Sequence, residues 1–271
     1  MSNQAKWTRS QELVSSSGSN ELCRWLLTLD MPTHEKASPS HLHAVVSNWV
    51  DDDHHAERKA FSLGPISSDD GTIEVEIRTF STRAADSMQD SFTNAQFIRV
   101  GSDRANDASL ALIESASFVD LVDRSKPDAM IGVQFLTPTV FRTGSKTSVI
   151  PGATQVFAHA RRVWSEWAPR ELTPNLEIGT LSILTPFLEG TTSKWDLGRR
   201  HWNGFVGRAQ YDLSLLDARD VRVLNVMGSL LDFVGVGANT TWGMGVVSVS
   251  TGNNPISPTQ PRNSRPNRRK S

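Results

Sequence analysis

Cysteine and tyrosine each occur only once in this chain of 271 residues, as Cys23 and Tyr211. A single cysteine excludes an intrachain disulfide framework and a cysteine-rich zinc site, and it suits a reducing cytoplasm. The polar N-terminus lacks an apolar run of signal-peptide length, and no later segment approaches the ~18 apolar residues of a membrane span. These absences predict a soluble, cytoplasmic protein with no membrane partner.

An excess of positive charge is also missing, because the formal net charge is −1. Nucleic-acid-binding domains are often strongly basic, so the total charge alone argues against that class. The distribution along the chain is more informative. Residues 141–222 hold eleven Lys and Arg against eight acidic residues, and residues 252–271 add five cations and no acid. Positive charge is therefore concentrated in the C-terminal half.

Apolar residues in the first half alternate between strand-like and helix-like patterns. Residues 24–29 indicate a buried strand, and Leu42, Val45 and Trp49 follow the spacing of an amphipathic helix that Ser38 can cap. Residues 59–66 and 72–80 predict a hairpin joined across 67–71. A helix over 82–95 and strand-like residues between 97 and 118 complete the order β-α-β-β-α-β.

The same order recurs after a polar hinge at 123–128. It comprises a strand at 131–141, a helix opening at Pro151, strands at 178–188 and 204–213, a helix stopping at Gly235, and a strand at 245–250. The chain is thus expected to be an α+β protein with two tandem ferredoxin-like (RRM-like) βαββαβ domains, at 23–122 and 129–251. A polar N-terminal extension (1–22) and a disordered basic tail (252–271) would flank them.

Four glycines stand in the eleven residues of the segment 235–245, GVGANTTWGMG. Glycine tolerates positive φ and lets another backbone come close, so the N–H groups of such a loop could bind phosphates. A helix C-cap followed by a tight turn explains Gly235 and Gly237 equally well. A dinucleotide fingerprint is disfavoured, because in that motif the glycines precede the helix.

The segment 228–249, GSLLDFVGVGANTTWGMGVVSV, closely resembles the C-terminal signature of the CRISPR repeat-processing endoribonucleases, the Cas6 family. Segments 131–142, 156–169 and 202–213 are similar to the same family, and the resemblance covers roughly residues 23–250. It implies two ferredoxin-like domains that bind a repeat RNA and cleave it without a metal or other cofactor. The 2′-hydroxyl would be the nucleophile, and the products would carry a 2′,3′-cyclic phosphate and a 5′-hydroxyl.

This reaction needs a base near the 2′-hydroxyl and an acid near the leaving oxygen, and histidine serves either role near neutral pH. The resemblance places a histidine just after the first helix, where His54, His55 and Lys59 fit. The acids at 51–53 would favour the protonated imidazole, which suits a general acid. The non-functional alternative is that this cluster is only a solvent-exposed segment at the end of the helix. A metal site is disfavoured because no ligand from a distant part of the sequence is evident. His43 ranks next as a catalytic candidate, and His41 after it.

The sequence departs from the family in its tyrosine. Several family members use a tyrosine beside the histidine, whereas Tyr211 lies in the second domain, so the second proton-transfer group would be another histidine or Lys59. Candidate RNA-binding residues lie in the glycine-rich segment and around a predicted charged hairpin, although such a hairpin is more often only a soluble sheet edge. They are Gly235, Gly237, Asn239, Gly243, Gly245, Lys194, Arg199, Arg200 and Arg208.

The sequence thus predicts an endoribonuclease whose partner is precursor CRISPR RNA, with CRISPR effector-complex subunits and a second copy of the chain as further partners. The alternative is a non-catalytic RNA-binding or scaffold subunit, since ferredoxin-like domains serve many functions. An RNA-recognition domain is disfavoured because no aromatic-rich strand matches its stacking motif. An enzyme that binds a nucleotide through the glycine-rich segment is disfavoured by the helix-before-loop order.

Overall fold

The computed structural model describes residues 21–32, 38–50, 59–197 and 200–252. The first domain contains eight elements in chain order. These are β1 (Leu22–Asp30), α1 (Pro39–Val50), β2 (Phe61–Asp69), β3 (Thr72–Thr79), α2 (Thr82–Asn94), β4 (Arg99–Val100), β5 (Asp103–Arg104) and β6 (Asp107–Ala116). The long strands form an antiparallel sheet in the order β2-β3-β1-β6, and α1 and α2 pack on one face of it. The expected βαββαβ topology is confirmed.

Two local predictions in this domain can be checked residue by residue. The Ser38 hydroxyl accepts the Ser40 N–H at 3.4 Å, and Leu42 and Val45 of α1 are buried, as the spacing predicts. The hairpin is tighter than predicted, because its strands extend to Asp69 and Thr72. Only Asp70 (φ 44°) and Gly71 (φ 83°) remain as the turn. Two consecutive positive φ angles match the twist of the paired strands.

The predicted hinge follows a short helix, α3 (Phe118–Arg124), which crosses the expected domain boundary at 122. Ser117 and Asp120 form a capping box at its start. The Phe118 ring meets the Trp164 ring edge-on at 5.1 Å, and Leu22 and Phe80 join the same apolar core. Both ends of the first domain are therefore packed against the second domain.

The second domain repeats the topology. Its elements are β7 (Met130–Thr139), β8 (Phe141–Thr143), β9 (Lys146–Ser148), α4 (Ala153–Trp167), β10 (Leu184–Asp196), β11 (His201–Asp212), α5 (Ala218–Val234) and β12 (Val247–Thr251). The sheet order is β10-β11-β7-β12. The strand predicted at 178–188 starts too early, because residues 178–180 form a 3₁₀ turn that buries Ile178 in the core. The apolar residue Ile178, at the start of the predicted strand, belongs to this buried turn and not to a strand.

The two domains meet where α5 crosses β1 and β3 of the first sheet. Glu76 accepts hydrogen bonds from Arg24 (2.9 and 3.0 Å) and from Arg78 (2.6 Å). Arg78 is only 2% exposed, and its Nη1 has no hydrogen-bond partner among the described residues. On α5, Asp232 accepts the Val249 N–H at 2.8 Å, and burial raises the pKa of this carboxyl to about 6 against the opposing effect of Arg78. Charged groups thus lie buried at the interface between the domains.

Candidate nucleic-acid interface

The glycine loop, residues 235–245, is held by hydrogen bonds within the protein. Gly235 ends α5 with φ 73°, and its N–H donates to Leu231. Val236 N–H donates to the Gly245 carbonyl (2.8 Å), and Ala238 N–H donates to the Val140 carbonyl (2.8 Å). The N–H groups of residues 242, 243 and 245 also donate to backbone carbonyls. Six of the loop's eleven N–H groups are therefore engaged internally, which restricts the predicted phosphate binding to the others.

Close backbone approach explains why glycine is needed in this loop. A Cβ on Gly237 (φ 88°) would lie 2.6 Å from the Val140 carbonyl oxygen, and one on Gly245 (φ 70°) would overlap the Val236 carbonyl oxygen. Both positions also have positive φ, which disfavours other residues. The backbone that comes close to these glycines is the protein's own. Their part in RNA binding stays a prediction.

The far end of the loop docks on the first domain. Its short 3₁₀ helix, Thr240–Trp242, lies against α1 and β2. His43 Nδ1 is 2.9 Å from the Thr241 carbonyl oxygen, so this nitrogen carries the proton and donates. The imidazole stacks on Trp242 at a centroid distance of 4.8 Å and lies 5.8 Å from the Phe61 ring. His43 therefore joins the glycine loop to the first domain.

The predicted catalytic histidines fall in the connection between α1 and β2. His54 and His55, with the acids at 51–53, lie outside the described residues, so their roles stay predictions. The two ends of that connection are described. Val50 ends α1, and the partly exposed Lys59 stands two residues before Phe61, which contacts the His43 ring. The glycine loop thus docks on the two elements that flank the predicted catalytic segment.

The β10–β11 hairpin reaches the loop from the second domain. β10 is an edge strand, and nearly all of it is exposed. Trp195 and Trp202 face each other in register near the end of the hairpin. The Trp195 indole N–H donates to the Trp242 carbonyl at 2.8 Å, and the Arg142 guanidinium lies 5.1 Å over the Trp202 ring. The hairpin end is thereby fixed to the glycine loop.

The predicted cations of the hairpin occupy different positions. Lys194 is exposed next to Trp195 and lies 3.6 Å from Asp196. Arg200 is exposed near the hairpin end, whereas Arg199 lies outside the described residues. Arg208 is farther along β11 and donates to Glu189 at 3.4 Å. Lys194 and Arg200 are thus exposed near the end of the hairpin, and Arg208 lies on the body of the sheet.

Sequence reasoning missed the tryptophans of this site. Trp195 and Trp242 join His43 and Phe61 around the end of the loop, and Trp202 pairs in register with Trp195 and lies under Arg142. Half-buried tryptophan uses its large ring for packing and its indole N–H for a hydrogen bond, which Trp195 does here. The sequence does contain a signal, because the chain has eight tryptophans. A search for charged residues and glycines does not use that number.

Tyr211 serves the core of the second domain. Its hydroxyl donates to the Pro151 carbonyl at 2.7 Å, its ring packs edge-on against Phe157, and burial raises the pKa of its hydroxyl. The identity of the second proton-transfer group stays a prediction. Among the described residues, no three or more His, Cys, Asp and Glu side chains are grouped to hold a metal ion. None of the described helices is both long and apolar enough to span a membrane.

Comparison with known proteins supports the fold. The model of the CRISPR-associated endoribonuclease Cas6 family matches residues 133–247. No curated protein matches the chain. Among solved structures, a Thermus thermophilus Cas6 is 20% identical with a TM-score of 0.67, covering 86% of this chain and all of its own. A Cas6 product complex is 18% identical with a TM-score of 0.68, covering 85% of this chain and all of its own.

One further solved structure is similar to this chain at a lower sequence identity. A structure described as an RAMP protein binding different RNA substrates is 12% identical with a TM-score of 0.55, covering 84% of this chain and 99% of its own. At these identities the solved structures show the fold alone, a pair of ferredoxin-like domains. The resemblance to the Cas6 family is confirmed by the family model over the second domain. It supports a role in binding or processing CRISPR RNA.

Proposed function

We propose that this protein is an endoribonuclease that binds CRISPR repeat RNA and cuts precursor CRISPR RNA within the repeat. One observation carries the proposal. The glycine loop, in the domain that matches the Cas6 family, docks through Thr241 and Trp242 on His43 and beside Phe61. This contact sets the predicted RNA-binding loop against α1 and β2, the elements that flank His54 and His55 in the chain.

The proposed reaction is a transesterification within the RNA. A base removes the proton of the 2′-hydroxyl, the oxygen attacks the adjacent phosphorus, and the bond from phosphorus to the 5′-oxygen breaks. An acid protonates the leaving oxygen, which gives a 2′,3′-cyclic phosphate and a 5′-hydroxyl without a metal ion. His54 and His55 would supply the acid and the base, and Lys59 would place positive charge near the phosphate.

The surroundings of His43 favour a positioning role in this scheme. Its Nδ1 proton is used by the Thr241 carbonyl, and its ring lies between Trp242 and Phe61. The hydrogen bond and the two ring contacts fix the orientation of the imidazole against the loop. Under this proposal His43 holds the glycine loop against the first domain, and Lys194 and Arg200 lie where they can bind the RNA backbone.

The test is a cleavage assay with end-labelled repeat RNA in excess EDTA. The proposal expects one cut, and the upstream product should resist phosphatase until its cyclic phosphate is opened by acid. Cleavage that requires a divalent cation, or an upstream product with a free 3′-hydroxyl, would contradict it.

A second candidate is a non-catalytic RNA-binding subunit, and a structurally similar RAMP protein is described as binding different RNA substrates. The same assay separates the two functions, because that subunit would bind the repeat in EDTA and cut it under no condition. CRISPR effector subunits and a second copy of this chain are further partners in either case. Size-exclusion chromatography with light scattering would measure self-association directly.

A further inference from the structure

A groove of about 390 Å³ lies on the first domain between α1 and the turn that joins β4 to β5. His41, Asn48 and Trp49 line it from α1, and Phe97, Arg99 and Gly101 line it from the other side. His41 and His43 point in different directions because they are two residues apart on a helix of 3.6 residues per turn. The groove therefore lies on a different side of α1 from the contact with the glycine loop.

Phe97 presents its ring at this groove, and the side chains of two cross-strand neighbours, Arg99 and Arg104, lie near it. It is 46% exposed, and the guanidinium carbons of Arg104 and Arg99 lie 4.9 and 5.9 Å from its ring centroid. Arg104 also donates to the Gln96 carbonyl at 3.3 Å, which helps to hold it beside the ring. An exposed aromatic ring flanked by arginines can stack a planar group and bind an anion at once.

The walls of the groove suit such a ligand. Val45 and Ile98 supply an apolar floor, and the β4–β5 turn packs closely on α1. A Cβ added at Gly101 (φ 63°) would lie 2.7 Å from His41 Nδ1, so only glycine allows this packing. Among the described residues that line the groove none is acidic, and the neighbouring Asp103 belongs to β5. The groove thus combines apolar, aromatic and cationic groups.

We propose that this groove binds single-stranded RNA that flanks the cleaved part of the repeat. A base stacks on Phe97, and Arg99 and Arg104 bind the adjoining phosphates. The inference rests on the proposed function, because it extends the same RNA beyond the site between the domains. Arginines on an exposed ring favour RNA over a protein partner, since nucleotides offer a planar base and an anion at fixed spacing.

Two labelled RNAs test the groove by affinity. One is the shortest repeat RNA that the protein cuts, and the other carries ten additional single-stranded nucleotides at each end. Phe97→Ala should weaken binding of the extended RNA about tenfold, as expected for the loss of one stacked base. It should leave the affinity and cleavage of the short RNA unchanged, and Phe97→Trp should restore binding. Arg99→Gln with Arg104→Gln should weaken the extended RNA and reduce the salt dependence of its binding.

Matched controls are available on α3, the helix that follows the first domain. Val119→Ala removes another apolar side chain of similar exposure (48%), and Arg124→Gln removes an exposed arginine of α3. Neither should change the affinity for the extended RNA. Equal binding of the extended RNA by wild type and Phe97→Ala would overturn the inference, and so would an equal loss with the control variants.

Photocrosslinking with 5-iodouridine in the added nucleotides gives a second readout. A crosslink mapped to Phe97 by mass spectrometry supports the groove, and crosslinks that all map elsewhere refute it. If the protein binds neither RNA, the proposed function itself fails. If it cuts the short RNA while Phe97→Ala affects only assembly with a protein subunit, the groove is a protein-docking site and the RNA inference is wrong.

Discussion

The two domains share one topology but differ in what covers the open face of the sheet. In the first domain, α5 of the second domain crosses β1 and β3, and Arg78 is buried there. In the second domain, alternate residues of β7 such as Gln134 and Leu136 remain partly or largely exposed, and β10 is exposed along its length. The same fold therefore acts as a supporting unit in the first domain and presents a more accessible surface in the second domain.

The domains differ equally in their connections. In the first domain, the segment between α1 and β2 carries His54 and His55. In the second domain, the glycine loop connects α5 to β12. Contacts of His43 with Thr241 and Trp242 hold the glycine loop against α1, the helix that precedes the segment with His54 and His55 in the chain. Under the proposed function, catalysis and RNA binding are divided between loops of two similar scaffolds.

The largest effect is expected in the second domain's loop, at Gly245. Gly245→Ala combines a positive φ with an overlap on the Val236 carbonyl, so the free energy of unfolding should fall by about 3 kcal/mol or more. Gly144 is a matched control, because it has a similar φ of 59° and no atom within 4 Å of an added Cβ. Gly144→Ala should cost about 1 kcal/mol. Equal costs in urea titrations would show that close backbone approach is unimportant in the loop.

The first domain's connection is expected to hold the chemistry. Replacing both His54 and His55 by alanine should slow cleavage by about 10²-fold or more, because general acid–base catalysis contributes that much. Binding of the repeat RNA should survive, since most phosphate contacts are expected from the second domain. His201→Ala, in the exposed hairpin, is the control for losing a histidine. Single-turnover rates equal to those of the wild type in the double variant would exclude both histidines.

The buried face between the domains predicts an unusual pH dependence. The pKa of Asp232 is raised from 3.8 to about 6, so the folded state binds this proton more tightly than the unfolded state. Lowering the pH from 7 to about 4 should therefore stabilise wild type relative to Asp232→Asn, by roughly 2 to 3 kcal/mol in total. The asparagine can still accept the Val249 N–H. Denaturant titrations at several pH values measure the difference.

Asp212 provides a control of opposite sign on the same domain. The Ser214 N–H lowers the pKa of this exposed carboxyl, so its contribution should weaken as the pH falls. A difference between wild type and Asp232→Asn that stays constant over this pH range would show that Asp232 titrates normally. Burial between the domains would then impose no free-energy cost on the charged form of Asp232.

The smallest effect is expected at His43, where the glycine loop meets α1. His43→Phe keeps a ring beside Trp242 but loses the hydrogen bond to Thr241, which is worth about 1 kcal/mol. Cleavage should therefore fall only severalfold, and His43→Ala should cost more because the ring is lost too. A fall as large as that of the His54 and His55 double variant would make His43 a catalytic residue instead.

Much of the scaffold was predictable because burial imposes periodicity. The spacing of Leu42 and Val45 revealed α1, and Gly235 marked the end of α5. The strand β10 was misplaced because its exposed residues up to Asp196 lack alternation, whereas Ile178 is buried outside the sheet. Periodicity reports one-sided burial, so an exposed edge strand leaves no such signal.

The candidate site was predictable only in part. The glycine segment and His43 were recognised, but their contact joins residues 198 positions apart in the chain. Neither composition nor local spacing predicts such a pairing, because it depends on how α5 places its C-terminus against the first domain. The contact of Trp195 with Trp242 was not predictable for the same reason, because the two residues lie on different elements.

Cleavage of a repeat RNA with a single 2′-deoxy nucleotide on the 5′ side of the scissile bond tests the central claim most directly. In EDTA, the protein should cut the all-RNA repeat and leave the deoxy substrate intact, while it binds both with similar affinity. That result would show that the 2′-oxygen is the nucleophile and that no divalent cation is needed. Cleavage of the deoxy substrate, or dependence of the all-RNA reaction on added magnesium, would contradict the account.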